Sequence, residues 1–138
     1  MKNALALAVF MLSTITQEAH AGVDFWHSNL VFAGQGACSA EFTFDSGLED
    51  ISKLDLSFNL QNKAGKTVAK DEIHLDSFGQ SSATRYAQAF VESEQICDSA
   101  LELVVTGATA VIDGKRVDLL KTKLLAARKF APILIKVP

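Results

Sequence analysis

The chain has 138 residues, of which 49% are hydrophobic and 21% charged, with a formal net charge of −3. That balance excludes a disordered or fibrous chain and is what an ordinary globular domain carries. The acidic sign also argues against general nucleic-acid binding, which depends on neutralising phosphates with lysine and arginine.

The first element is a leader. Lys2 supplies a positive start, Ala4 to Leu12 is an unbroken apolar run, and Ala19-His20-Ala21 is a small-x-small cleavage site. This is the anatomy of a secretory signal peptide, residues 1–21, with cleavage expected between Ala21 and Gly22. Nine apolar residues fall well short of the roughly 20 needed to span a bilayer as a helix. No later segment approaches that length, so no membrane span is expected. Residues 22–138 then form a single domain, secreted or periplasmic, large enough to bury roughly two thirds of its unfolded surface.

Strand signals dominate the remainder. Cys38, Ala40, Phe42 and Phe44 alternate with Ser39, Glu41, Thr43 and Asp45, which places Cys38 on an inward face with the phenylalanines. Leu54, Leu56, Phe58 and Leu60 repeat the pattern against Asp55, Ser57, Asn59 and Gln61. Asn62-Lys63-Ala64-Gly65 has turn chemistry, and Thr67-Val68 and Ile73-His74-Leu75 read as return strands. Residues 83–91 fit helical and strand spacing equally, and context favours a strand. Leu101, Leu103 and Val105 open another strand that runs to Val111. Asp113-Gly114 between apolar runs is a strong hairpin signal, because both turn residues tolerate positive φ. Val117 and Leu119 begin the return, and Ile133 to Val137 close the chain as a last strand. Many short strands with few helical stretches predict an all-β antiparallel sandwich of the immunoglobulin-like class.

The stretch Gly34-Gln35-Gly36-Ala37-Cys38 bears on chemistry, since Gln-Gly-x-Cys opens the nucleophile loop of papain-like thiol proteases. That family places its histidine roughly 130 residues or more downstream of the cysteine. Only 100 residues follow Cys38 here, and the Cys-Gly-Ser-Cys-Trp continuation is absent. An inward cysteine among phenylalanines is also badly placed to attack a substrate. Two cysteines in an exported chain suit a Cys38–Cys97 disulfide, closing a loop of about 60 residues and contributing about 4 kcal/mol at most. Cys38 is therefore a staple, and no catalytic residue is assigned.

Gly34-Gln35-Gly36 lacks the third glycine and following helix of a phosphate loop, and reads as a turn. His27 and His74, with Asp24 or Asp76 nearby, lack metal-ligand spacing, so neither metal nor cofactor is expected. Glu49-Asp50 lacks calcium-loop spacing and reads as a solvated turn. Residues 22–112 carry net −8, whereas residues from Asp113 onward carry net +5. That basic segment is either a docking patch for an anionic partner or, the preferred reading, strand faces complementing an acidic neighbour. Trp26 reads first as a core tryptophan. The alternative makes Trp26 and His27, together with Arg128 and Lys129 of the basic tail, a candidate binding surface, since tryptophan is enriched at interface hot spots.

Several motifs carry a resemblance over nearly the whole mature chain. They include Phe25-Trp26-His27-Ser28-Asn29, Val31-Phe32-Ala33-Gly34-Gln35-Gly36, Cys38-Ser39-Ala40 and Phe42-Thr43-Phe44-Asp45-Ser46-Gly47. Phe78-Gly79-Gln80-Ser81, Arg85-Tyr86, Glu94-Gln95-Ile96-Cys97-Asp98 and Ile112-Asp113-Gly114-Lys115 belong to the same set. In these the chain resembles the IrmA family of small secreted bacterial proteins. The resemblance implies a fibronectin type III-like sandwich, secretion, strand-swapped homodimers and binding of host immune proteins as a virulence-type factor. No receptor-contact residue of that family maps onto a position here. The alternative from a stapled sandwich without a chemical constellation is a periplasmic structural or assembly subunit, pilin-like or chaperone-like, completed by a partner strand.

Overall fold

A computed structural model describes residues 22–130 and 133–138. The expected leader, including Ala21, lies outside them, while Gly22 opens the described chain. Nine strands follow: β1 (Val23–Gly34), β2 (Ala37–Asp45), β3 (Ile51–Gln61), β4 (Thr67–Phe78), β5 (Tyr86–Glu92), β6 (Glu102–Ile112), β7 (Lys115–Asp118), β8 (Leu125–Ala127) and β9 (Leu134–Lys136). They form two packed sheets. The front sheet runs β5-β2-β1-β8, and the back sheet runs β4-β3-β6-β7 with β9 also paired to β6.

The alternation read along β2 and β3 is the alternation of the sandwich. Ala40, Phe42 and Phe44 from β2 are buried against Leu54, Leu56, Phe58 and Leu60 from β3. Val23 and Phe25 of β1 join them, and the Phe25 and Phe44 rings stack with centroids 5.3 Å apart. Each fully buried large apolar side chain of this kind contributes roughly 1.5–3 kcal/mol.

Strict alternation fails where the strands bulge, and these sites keep the pattern inward. In β6 the register slips across Thr106-Gly107, so Val105 and Ala108, three residues apart, both face the core. In β3 it slips at Lys53, whose φ is +47°, and Ile51 and Leu54 are both buried.

The hairpins form where turn chemistry placed them. Asp113 and Gly114 have φ of +49° and +80°, as a two-residue turn matching strand twist requires. The Asn62 side chain accepts hydrogen bonds from the Ala64 and Lys66 amides at 3.0 Å each, closing the β3–β4 turn. Gly34-Gln35-Gly36 turns β1 into β2 with φ of +78°, +51° and +79°.

Three expectations need correction. Residues 83–91 are not all strand, because Ser82–Thr84 form a 3-10 turn and β5 starts at Tyr86. β8 was not apparent in the sequence, since three residues carry too little periodicity to register. The sandwich is also not wholly antiparallel: β8 runs parallel to β1, and β9 parallel to β6. Among the described residues no helix is long and apolar enough to cross a membrane.

Candidate protein-binding face

Cys38 and Cys97 are joined by a disulfide, with Cα atoms 6.0 Å apart. Cys38 is buried at the start of β2, and Cys97 sits in the loop before β6, so the bond ties the front sheet to the back sheet's entry. Such a bond is compatible with an extracytoplasmic protein.

Trp26 is not a core residue. Along β1, Val23, Phe25 and His27 point inward, so Asp24 and Trp26 point out. Trp26 is half-buried on the outer face of the front sheet, opposite Thr43 of β2. His27, expected beside it on the surface, faces the opposite way because it is the next residue on the strand. It is 2% exposed, packs on Phe42 with ring centroids 5.6 Å apart, and its Nε2–H donates to the Asn29 carbonyl at 2.8 Å. Its Nδ1 is buried without a hydrogen-bond partner. Burial lowers the histidine pKa, more than the Asn29 hydrogen bond and the Glu41 charge raise it.

The outer face around Trp26 is an alternation of aromatic rings and arginines. Parallel pairing of β8 with β1 sets Ala127 beside Phe25 and so delivers Arg128 next to Asp24. The Arg128 Nε–H donates to Asp24 Oδ2 at 2.8 Å, and its guanidinium lies 5.3 Å from the Trp26 ring centroid. Arg85, just before β5, precedes Tyr86, and its guanidinium lies 5.2 Å from that ring's centroid. Its Nε and Nη2 donate to Asp45 Oδ1 and Oδ2 at 2.8 and 3.0 Å, a bidentate clamp.

The small side chains of Thr43 and Asp45 on the intervening strand let rings from β1 and β5 meet over β2. Trp26 and Tyr86 make an edge-to-face contact at 6.3 Å, and Phe130 packs on Trp26 at 5.6 Å. Asp45 is the buried anchor at 2% exposure. The Arg85 hydrogen bonds hold its carboxyl below the usual range, against the opposing effect of burial, with help from the Gly47 amide and from the charges of Arg85 and Arg128.

The same face carries Phe90, opposite Glu41, and Val31, opposite Ser39, both exposed. Tyr86 is 54% and Phe130 68% exposed. Lys129 is exposed beside Phe130. Thus the structure brings Trp26, Arg128 and Lys129 to one region and removes His27 from it. Sequence reading missed Asp45, Arg85, Tyr86 and Phe130 as members. The parity of Asp24 and Trp26 against Phe25 was the available signal, whereas the contact with Phe130 spans more than a hundred residues.

The other singled-out residues lie apart. His74 is on the back sheet's outer face, bonded to Asp55, on the opposite sheet from His27. Asp76 is on β4 and Asp24 on β1, so no His–Asp pair converges. Among the described residues no group of three or more potential ligands gathers. Glu49 is half-buried rather than a freely solvated turn residue, and its pKa is raised by a hydrogen bond with Asp113, then by burial and by that carboxylate's charge.

A family model described as interleukin receptor mimic protein A matches residues 23–127. No curated protein matches the chain. A solved structure titled as the structural characterization of IrmA from Escherichia coli superposes with a TM-score of 0.65 at 25% identity, covering 84% of this chain and 98% of that one. The match takes in both cysteines, eight of the nine strands and, from the ladder of arginines and rings around Trp26, Trp26, Arg85 and Tyr86 but not Arg128 or Phe130. With three quarters of its length inside the family's bounds, the chain belongs to the IrmA family.

Proposed function

We propose that the chain is an exported, non-enzymatic protein-binding module that engages host immune proteins, cytokines or their receptors, through the outer face of the front sheet. The observation that carries this reading is the ladder of Arg128, Trp26, Tyr86 and Arg85, with Phe130 on its flank. Aromatic and arginine side chains dominate the binding energy of protein interfaces, and rings already packed edge to face lose little freedom on binding. The family description, interleukin receptor mimic, supports the class of partner. Residues 1–21 act as the export signal, with cleavage after Ala21. The mature chain works as a homodimer formed by exchange of the N-terminal strand, an arrangement that turns that strand's own tendency to pair toward a second copy.

The test is binding of immobilised cytokines and receptor ectodomains by the oxidised mature protein, alongside Tyr86→Ala and Phe130→Ala. Both residues are largely exposed, so the variants keep the parent's circular dichroism. The reading expects each to weaken capture at least about fivefold, as hot-spot truncations do. Undiminished capture by both variants overturns the assignment of this face. Light scattering on the same sample reads the dimer, and a monomer at micromolar concentration removes strand exchange.

A further inference from the structure

Opposite the ladder's edge the sandwich is open. Among the described residues β8 ends the front sheet and pairs with β1 alone, and β9 pairs with β6 alone. Between them lies a groove of about 850 Å³ floored by Leu120, Leu125, Ile135 and Val137. This volume is in the range of a ligand-binding cleft.

The groove's wall has main-chain groups to offer. The Leu124 carbonyl accepts from the Val23 amide at 2.7 Å, and the Arg128 amide donates to the Phe25 carbonyl at 2.9 Å. In a parallel ladder alternate residues turn both groups to the same neighbour. Leu124, Ala126 and Arg128 therefore serve β1, and Leu125 and Ala127 turn their N–H and C=O away from it. A bare edge of this kind accepts an added strand, whose alternate side chains then enter the adjoining apolar floor.

The rim selects the charge. Lys136 is held by Glu102 at 2.7 Å, whereas the Lys123 side chain, also on the groove, meets no carboxylate among the described residues. Lys121, two residues away, is exposed and equally unpartnered. The edge strand β4, by contrast, exposes Lys70, Glu72, His74 and Asp76, the mixed charges that discourage strand addition.

We infer that the β8–β9 groove is a second interaction site, beyond the ladder face, that takes an extended segment of another protein in which apolar residues alternate with acidic ones. The segment adds to the free edge of β8 through Leu125 and Ala127, lays its apolar side chains on Leu120, Leu125 and Ile135, and sets a carboxylate against Lys123.

The probe is an acetylated, amidated peptide of alternating glutamate and valine or isoleucine, titrated into the oxidised, isotope-labelled mature protein. The Leu125 and Ala127 amides shift and exchange more slowly with solvent on binding. Ala127→Pro removes a donor that β1 does not use, so the fold persists while affinity falls at least about tenfold. Lys123→Glu weakens the acidic peptide about fivefold and leaves a glutamine-for-glutamate peptide unaffected. Shifts confined to β5, equal binding by Ala127→Pro, or no preference between the two peptides overturns the inference. So does conversion of a wild-type dimer to a monomer by Ala127→Pro, because the groove's occupant is then a second copy of this chain.

Discussion

The two sheets have nearly the same buried faces and very different outer ones. On the back sheet, Asp55 sits between His74 and Arg116, and the surrounding positions are Ser57, Asn59, Lys70, Glu72 and Thr109. These groups are mostly solvated, and ion pairs in such a setting contribute little, because water competes for both charges. On the front sheet a buried Asp45 is clamped by Arg85 and approached by Arg128, and rings close over it. Similar residue types thus do different work according to their access to water. The back face is polar and charged, and the front face presents a preorganised, partly apolar surface.

The largest expected effect comes from cutting the link between the sheets. Replacing Cys38 and Cys97 together by serine lowers unfolding stability by up to about 4 kcal/mol in urea titrations. A drop below about 1 kcal/mol would mean that the packed faces alone hold β2 against the β6 entry. Next is a matched pair of substitutions. Asp45→Ala removes a buried acceptor from the Gly47 amide and from the Arg85 clamp and costs about 1–3 kcal/mol, whereas Asp55→Ala on the back sheet costs less than about 1 kcal/mol. Equal losses would erase the contrast drawn between the two faces.

The third prediction concerns pH. The folded pKa of His27 lies below its ordinary 6.5, so the unfolded chain takes up the proton first. Its contribution is complete above pH 6.5 and declines as pH falls through that value, and His27→Leu flattens this slope in denaturant titrations between about pH 7 and 5. A separate loss sets in near pH 3.8 and below, where Asp45 in the unfolded chain protonates before the clamped carboxylate does. An unchanged slope in His27→Leu would place the acid sensitivity elsewhere. The smallest effect is on stability at the exposed positions. Phe90→Lys and Glu72→Lys each stay within about 0.5 kcal/mol of the parent. Phe90→Lys reduces binding of a hydrophobic dye and Glu72→Lys does not, since Phe90 is an exposed ring on the front face whereas Glu72 lies among charged side chains.

Much of the fold was legible because strand alternation and turn chemistry are local properties. Phe42 and Phe44 must share a face, and Asp113-Gly114 accommodates the positive φ that its hairpin demands. The inward direction of Cys38 followed from the same alternation, and the residue is joined to Cys97. The binding face was legible only in part. Alternation required Trp26 and His27 to point oppositely, yet it does not say which side is core. The presence of Phe25 and Phe44 at neighbouring inward positions decides that, and it left the larger tryptophan outside.

What the sequence by itself determined is therefore most of the strands, their hairpins and the cysteine pair, all governed by neighbours along the chain. Tertiary structure alone decided which strands end the sheets, and with them the open edge of β8. It also brought Arg128 and Phe130 to Trp26 across more than a hundred residues. The physical reason is that β8 is too short to declare itself by periodicity, and that the direction in which β9 pairs is not a local property. Their parallel partners, β1 and β6, supply the hydrogen bonds that make them strands, and that pairing exists only once the chain has folded back on itself.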